Sequence, residues 1–243
     1  MINHNIELDR TSPYGQIYNF IVCHKTFDYS FFGDISNKIF ISKDGKVEGT
    51  VAYKSEYDDR VYGELGAWKW IATQLRDDDW ASLSHYRRKC YAKMGVQIAV
   101  PIRLGASALE HLAHYHSPML VEACSKALSP QELNVLREPV LCPYNIFSAP
   151  KGLIEEWLAF VEPRVLNIMG ALGCPHSYEG AIDFIRKNPS FTESSGPDKN
   201  CSVEYQARLG GFITERISTI FWQLSQYPRE LQQIKLLEQN QKI

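Results

Sequence analysis

The sequence predicts an α/β fold: a single domain with a mostly parallel central sheet, helices on both faces and a helical C-terminal portion. Three observations lead there. Between Ile17 and Val100, short β-rich apolar runs alternate with segments of helical spacing, the pattern of parallel strands joined by crossover helices. The runs Ile17–Cys23 (IYNFIVC) and Trp80–Ser84 (WASLS) carry apolar residues without a helical period, as strands covered on both faces do. The chain has 243 residues, 44% of them hydrophobic, enough for one large core.

In chain order, Ile17–Cys23 is the first, central strand, ending at His24-Lys25. Phe27–Asp34 is aromatic and polar without a period. Lys38–Ser42 (KIFIS) is a second strand, closed by the turn signal Asp44-Gly45. Lys46–Arg60 is polar and is expected to be a covering loop. Val61–Leu75 is a helix, because Leu65, Trp68, Ile71, Ala72 and Leu75 share one face. Glu64 lies near its start, where an acid suits the helix dipole. Arg76–Asp79 leads into the strand Trp80–Ser84, and Val96–Pro101 is a further strand with Arg103 after it. Ser107–His116 and Pro118–Leu128 read as helices. Ser129-Pro130 opens another, with Glu132 completing a capping box. Pro143 narrows the apolar stretch Val140–Ala149 to a strand over Tyr144–Ser148. Lys151–Met169 is a long helix that Pro163 is expected to kink. Cys174–Asn200 holds a short helix over Glu179–Ile185 and otherwise reads as a mobile connection, the kind of long loop that forms lids. Ala207–Ser225 is the last strong helix. Tyr227–Ile243 reads as a polar surface or partner-binding helix, which divides the chain into a domain over 1–225 and a tail over 226–243.

Composition removes several classes of function. A net charge of −2 lacks the basic excess of a general nucleic-acid binder. No run approaches the roughly 20 apolar residues of a membrane span, and the N-terminus MINHNIELDR has no signal-peptide core. The six cysteines form no C-x-x-C pair, so neither a zinc knuckle nor a redox motif is expected. Scattered thiols fit a cytosolic protein. His111, His114 and His116 do not share one helical face, and no metal site is expected there.

Chemistry is expected at the strand ends, because ligands of open α/β sheets bind beyond the carboxyl ends of the strands. Trp80–Ser84 runs into His85, Tyr86, Arg87, Arg88 and Lys89, and Ile17–Cys23 into His24 and Lys25. Guanidinium forks match phosphate oxygens two at a time. Neighbours on an extended strand face opposite ways, so one of Arg87 and Arg88 is expected to meet phosphate and the other a carboxylate such as Glu64. Glu215 and Arg216 are embedded in an apolar helix, where charge must be paired or face a polar cavity. Adjacent helical residues point about 100° apart, so Arg88 or Arg208 is the expected partner of Glu215. Two roles for Glu215 stay open: a clamp between helix and sheet, or a general base on an incoming hydroxyl.

Seven segments in order carry a resemblance: IVCHK (Ile21–Lys25), YGELGAWKW (Tyr62–Trp70), SHYRR (Ser84–Arg88), the strand end Pro101–Arg103, Tyr115-His116, PYNIF (Pro143–Phe147) and GFITER (Gly211–Arg216). Together they resemble the bacterial glycosyltransferase family long catalogued as a domain of unknown function in capsule and O-antigen clusters. The resemblance implies a Rossmann-like, GT-A-like nucleotide-sugar glycosyltransferase domain. Such a domain moves a sugar from a nucleotide-diphosphate donor to a saccharide or lipid-linked saccharide acceptor in capsule or lipopolysaccharide biosynthesis. It would act in the cytoplasm, with the inner face of the membrane as an allowed location. Carried onto the matching positions, the resemblance implies Glu215, His85 and Arg87 as catalytic residues. It implies Cys23, His24, Lys25, Glu64, Trp68, Tyr86 and Arg88 at the donor, and Tyr144, Asn145 and Arg216 on the acceptor side. The chain departs from the family in KCY after SHYRR and in the polar tract Ile185–Ser202, which bear on acceptor identity.

Many enzymes of this kind hold a divalent metal with an Asp-x-Asp at the end of a central strand. Here that position reads His85-Tyr86-Arg87, and Asp77-Asp78-Asp79 lies before the strand, at the wrong end. Cationic side chains are therefore expected to stabilise the leaving group without a metal cofactor, a divalent metal being the alternative. Two other functions stay open: a nucleotidyl or phosphoryl transferase on the same scaffold, and a non-catalytic sugar-binding module of a capsule assembly complex.

Overall fold

The computed structural model of the chain describes residues 8, 12, 14–90, 95–194 and 196–236. Strand β1 (Ile17–Val22) is buried beyond its first residue. It has no polar face to offer solvent, so it takes the middle of the sheet. Strands β2 (Lys38–Lys43) and β3 (Val51–Tyr53) add in parallel on one side of it. Helices α1 (Asp59–Tyr62) and α2 (Leu65–Gln74) follow, and α2 buries Leu65, Trp68, Ile71 and Ala72, the face that the spacing requires. Strand β4 (Trp80–His85) then pairs in parallel with β1 on its other side, Ile17 opposite Trp80 and Val22 opposite His85. The two apolar runs are neighbours in one sheet, and their carboxyl ends coincide.

Strand β5 (Arg88–Lys89) turns back antiparallel on β4. After β6 (Gln97–Ala99) and β7 (Ile102–Arg103) come α3 (Ala108–Tyr115), α4 (Pro118–Ala127) and α5 (Pro130–Leu136). Ser107 and Ser129 close capping boxes with Glu110 and Glu132. Strand β8 (Val140–Leu141) pairs with β7, and β9 (Phe147–Pro150) enters between β4 and β6, antiparallel to both. Four helices follow: α6 (Lys151–Leu172), α7 (Tyr178–Lys187), α8 (Val203–Gln206) and α9 (Leu209–Leu224). Strand β10 (Glu230–Gln232) lies parallel to β6, and β11 (Lys235–Leu236) antiparallel to β5. The sheet runs β10-β6-β9-β4-β1-β2-β3. The fold is a mixed α/β one, a central sheet with a parallel β4-β1-β2-β3 half, flanked by helices. Among the described residues no helix is long and apolar enough to cross a membrane.

Four expectations change. The polar stretch Lys46–Arg60 contains β3 and the start of α1, because Ala52 and Tyr53 are buried against the core and outweigh their polar surroundings. The strand expected over Tyr144–Ser148 begins only at Phe147. Tyr144 and Asn145 instead form a turn with φ of 74° and 51°, in the left-handed region. Helix α6 continues through Pro163, which is exposed. The carbonyl four residues back, on exposed Ala159, is open to water when its helical bond is lost. The C-terminal tail is not helical as far as Leu236: β10 and β11 complete the sheet, so residue 225 does not bound the fold. Pairing the open edges of β6 and β5 outweighs the weak helical spacing of Leu231 and Ile234. Leu237 and the rest of that stretch lie outside the described residues.

Candidate functional site

The coincident ends of β1 and β4 bring His24, His85, Tyr86 and Arg87 to one cavity of about 270 Å³, which Asp59, Arg60, Tyr178, Glu204 and Arg208 complete. A larger cavity of about 510 Å³ lies between the β4–β5 turn, the N-terminus of α2, the end of α3, the Tyr144-Asn145 turn and α9. Glu64, Arg87, Arg88, Tyr144, Asn145, Arg208, Glu215 and Arg216 all line it. Arg87 and Arg208 line both cavities. Among the described residues neither forms an ion pair with a carboxylate.

Local structure explains these positions. Arg87 sits in the turn between β4 and β5, and both it and Arg88 reach the larger cavity. The alternation expected of an extended strand does not apply across a turn. Arg88 does not pair with Glu64; its guanidinium lies over the Tyr144 ring at 4.0 Å, and among the described residues its Nε has no partner. Arg208 caps α9. That end of α9 lies tight against α1, since a Cβ on Gly210 would come within 2.5 Å of the Tyr62 ring. Glu64 is buried at the start of α2. Burial holds its pKa above the usual carboxylate range, Glu215 adds to this, and Arg208 and Arg88 oppose it.

Glu215 Oε1 accepts the Tyr144 N–H at 2.9 Å, and Oε2 lies 3.4 Å from Arg216 Nη1. The partner is thus the adjacent arginine, not Arg88 or Arg208, because a long side chain reaches round the helix. Arg216 is 2% exposed. Its Nη1 also donates to the Phe212 carbonyl at 3.1 Å, and Nη2 donates to His111 Nδ1 at 3.0 Å. Arginine can only donate, so His111 presents a bare nitrogen there. Burial, then Arg216, lower its pKa to about 4.

Several expected site residues have other work. His85 is 4% exposed, and its Nδ1 accepts the Arg87 N–H at 3.3 Å. Burial, then His24 and Arg88, lower its pKa to about 2. It is a neutral ring that shapes the β4–β5 turn and a poor proton carrier. Cys23 is buried in an apolar cluster with Phe27, Phe32 and Tyr86, lines neither cavity, and has its pKa raised by burial to about 12. Tyr86 shares that cluster while edging the smaller cavity. Lys25 is exposed, 5.9 Å over the Tyr86 ring, and lines neither cavity. Trp68 is fully buried, stacked on Phe147 at 4.1 Å, and donates its indole N–H to the Asn145 carbonyl at 2.9 Å. Asn145 lines the larger cavity, and its Oδ1 accepts from Ser218 at 2.8 Å, which ties the turn to α9. Arg103 is exposed on β7. Asp77, Asp78 and Asp79 stand at the other end of β4, paired with Lys151 and Arg76. Among the described residues no three His, Cys, Asp or Glu side chains cluster as metal ligands would.

Sequence reading named Arg208 only as a partner for Glu215 and missed Tyr205, Asp59, Tyr178 and Glu204. Tyr178 comes from the polar connection and Glu204 from the short helix α8 just after it, neither of which carries a strand-end signal. The Gly-Gly pair at 210–211 inside a helical pattern was the available pointer to a close approach.

His116 is buried, stacked on Phe212, and its Nδ1 hydrogen-bonds Gln206 Oε1 at 3.0 Å. Burial, then Arg216, lower its pKa to about 3. Below pH 6.5 the unfolded state binds a proton here that the folded state does not, so this histidine makes stability fall as pH falls. The stability gap between wild type and His116→Gln, read by urea unfolding, is expected to shrink by about 1.4 kcal/mol per pH unit from 6.5 to 4.5. A gap independent of pH would contradict a neutral His116.

No protein-family model matches the sequence, and no curated protein matches it. A solved structure does match: the apo structure of the WbbM bifunctional glycosyltransferase, with a TM-score of 0.62 and 13% identity. The match covers 92% of this chain and 45% of that one. This chain spans less than half of that protein's length, and the likeness is one of fold.

Proposed function

We propose that the protein is a glycosyltransferase that moves a sugar from a nucleotide-diphosphate donor to a saccharide acceptor. The observation that carries this reading is the placement of Arg87 and Arg208, two guanidinium groups without carboxylate partners among the described residues, where the two cavities meet at the carboxyl ends of β1 and β4. A diphosphate there would leave the nucleoside in the smaller cavity and the sugar in the larger. The acceptor hydroxyl attacks the anomeric carbon. The bond from that carbon to the diphosphate oxygen breaks, its electron pair leaves with the nucleoside diphosphate, and Glu215 takes the hydroxyl proton. Arg87 and Arg208 neutralise the charge that grows on the leaving group. The fold likeness to a glycosyltransferase supports the reading. The motif resemblance extends it to capsular or lipopolysaccharide glycans and to a cytoplasmic site of action.

Thermal shift against a panel of nucleoside diphosphates and nucleotide sugars tests it, since a ligand of the folded state raises the melting temperature. At least one nucleotide is expected to bind. Arg87→Ala and Arg208→Ala are each expected to weaken it about 10-fold or more, the loss of a charge-assisted hydrogen bond, without lowering the melting temperature of the free protein. Unchanged titration curves for both variants would overturn the assignment. With guanidinium groups as leaving-group stabilisers, turnover is expected to survive a chelator. Loss in chelator with recovery in manganese or magnesium would contradict that.

A further inference from the structure

We infer that the part of the larger cavity bordered by Tyr115, Tyr144 and Tyr205 is the acceptor subsite and takes a neutral saccharide. This rests on the glycosyltransferase reading and adds the class of acceptor. The three rings are partly exposed and fixed from behind. Tyr115 packs on His111 with centroids 4.4 Å apart, Tyr205 on Phe212 at 5.1 Å, and Tyr144 carries the Arg88 guanidinium at 4.0 Å. Among the described residues none of their hydroxyls has a hydrogen-bond partner. By contrast the hydroxyls of Tyr53, Tyr57, Tyr62 and Tyr227 are all bonded to side chains. A held ring with a free phenol offers an apolar face and a donor–acceptor tip. A pyranose presents the same two characters, C–H faces and a rim of hydroxyls.

Charge points to a neutral ligand. Arg216 and Glu215, at this end of the cavity, compensate each other. His111 and His116 are neutral, held so by burial and by Arg216. The cavity is also lined by the cation Arg88, held over Tyr144, and by the carboxylates Glu64 and Asp198, so once a donor diphosphate takes Arg87 and Arg208 no excess of positive charge is left to hold an acidic sugar. A volume of about 510 Å³ is in the range that encloses ligands well beyond one ring, so transferred sugar and acceptor fit together.

Ligand-observed NMR on the full chain, saturated with the nucleoside diphosphate found by thermal shift, measures this. The probes are neutral methyl hexopyranosides, neutral disaccharides and a methyl uronate. Neutral saccharides are expected to bind. Tyr115→Phe and Tyr205→Phe, which keep the rings, are each expected to weaken that binding about three- to tenfold while nucleoside diphosphate affinity stays within about twofold. Unchanged saccharide affinity in the Tyr115→Phe/Tyr205→Phe double variant, or preference for the uronate, would overturn the inference. A protein that binds the nucleoside diphosphate but no saccharide would also overturn it and leave the donor assignment standing. One that binds neither would overturn the glycosyltransferase reading itself.

Discussion

Glu215→Gln is expected to lower kcat about 10²- to 10⁴-fold, the range a general base contributes, while nucleoside diphosphate affinity holds and the melting temperature falls by no more than about 2–4 °C. The substitution is close to isosteric. A glutamine oxygen still accepts the Tyr144 N–H, so the left-handed turn at Tyr144-Asn145 keeps its anchor. Arg216 loses a counter-charge at 3.4 Å but keeps the Phe212 carbonyl and His111. The Glu215 side chain is 20% exposed, so water screens part of what is lost, and the stability cost is expected to be about 1 kcal/mol. What cannot be replaced is the proton acceptor facing the larger cavity. Steady-state kinetics beside a melting curve separates the two roles of this residue. A kcat loss with a melt lowered by only a few degrees supports the base. A melt lowered by many degrees, with activity per folded molecule intact, makes Glu215 a clamp. Full activity and full stability would contradict both.

Trp68→Ala is expected to cost about 3–5 kcal/mol, the range for deleting a large buried aromatic. In a chain of this size that is a drop of roughly 10 °C in melting temperature. Trp68 fills the space between α2, β9 and α6: it stacks on Phe147 at 14° and meets Trp157 with centroids 6.2 Å apart. Its indole N–H also holds the Asn145 carbonyl, so the cavity removes both packing and the turn's support. Trp68→Phe keeps most of the volume and loses only the hydrogen bond, so it is expected to fall between the two. Urea unfolding of the three proteins checks this. An alanine variant as stable as wild type, with weakened nucleotide binding, would return Trp68 to the donor site.

What the sequence disclosed follows from which signals are local. The apolar runs of β1 and β4 and the stripe of α2 are local patterns, and they placed the strand ends, His24, Arg87 and Arg88 correctly in the fold. The capping box of α5, Ser129 with Glu132, was equally legible. The strand pairing of β10 and β11 was not, because a tail joins a sheet edge only when that edge is already built. Nor was the neutral state of His85, since burial and three flanking arginines are tertiary facts. Cys23 and Trp68 sit inside motifs that carry the family resemblance, yet both are buried structural residues. A motif marks a conformation as readily as a contact. Arg208 and Tyr205 reach the site from a stretch with no strand-end signal, so only the folded chain puts them opposite Arg87.

The measurement that bears most directly on the central claim is the identity of the nucleotide released when the protein turns over a nucleotide sugar that it binds. Chromatography of the products resolves it. Glycosyl transfer, to an acceptor or slowly to water, breaks the bond between sugar and diphosphate, so the released species is expected to be the nucleoside diphosphate, reduced to background in Arg87→Ala/Arg208→Ala. Release of the nucleoside monophosphate would mean that the bond between the phosphates broke and that the protein is a nucleotidyl or phosphoryl transferase. No release from any bound donor, with or without saccharide, would make it a binding module.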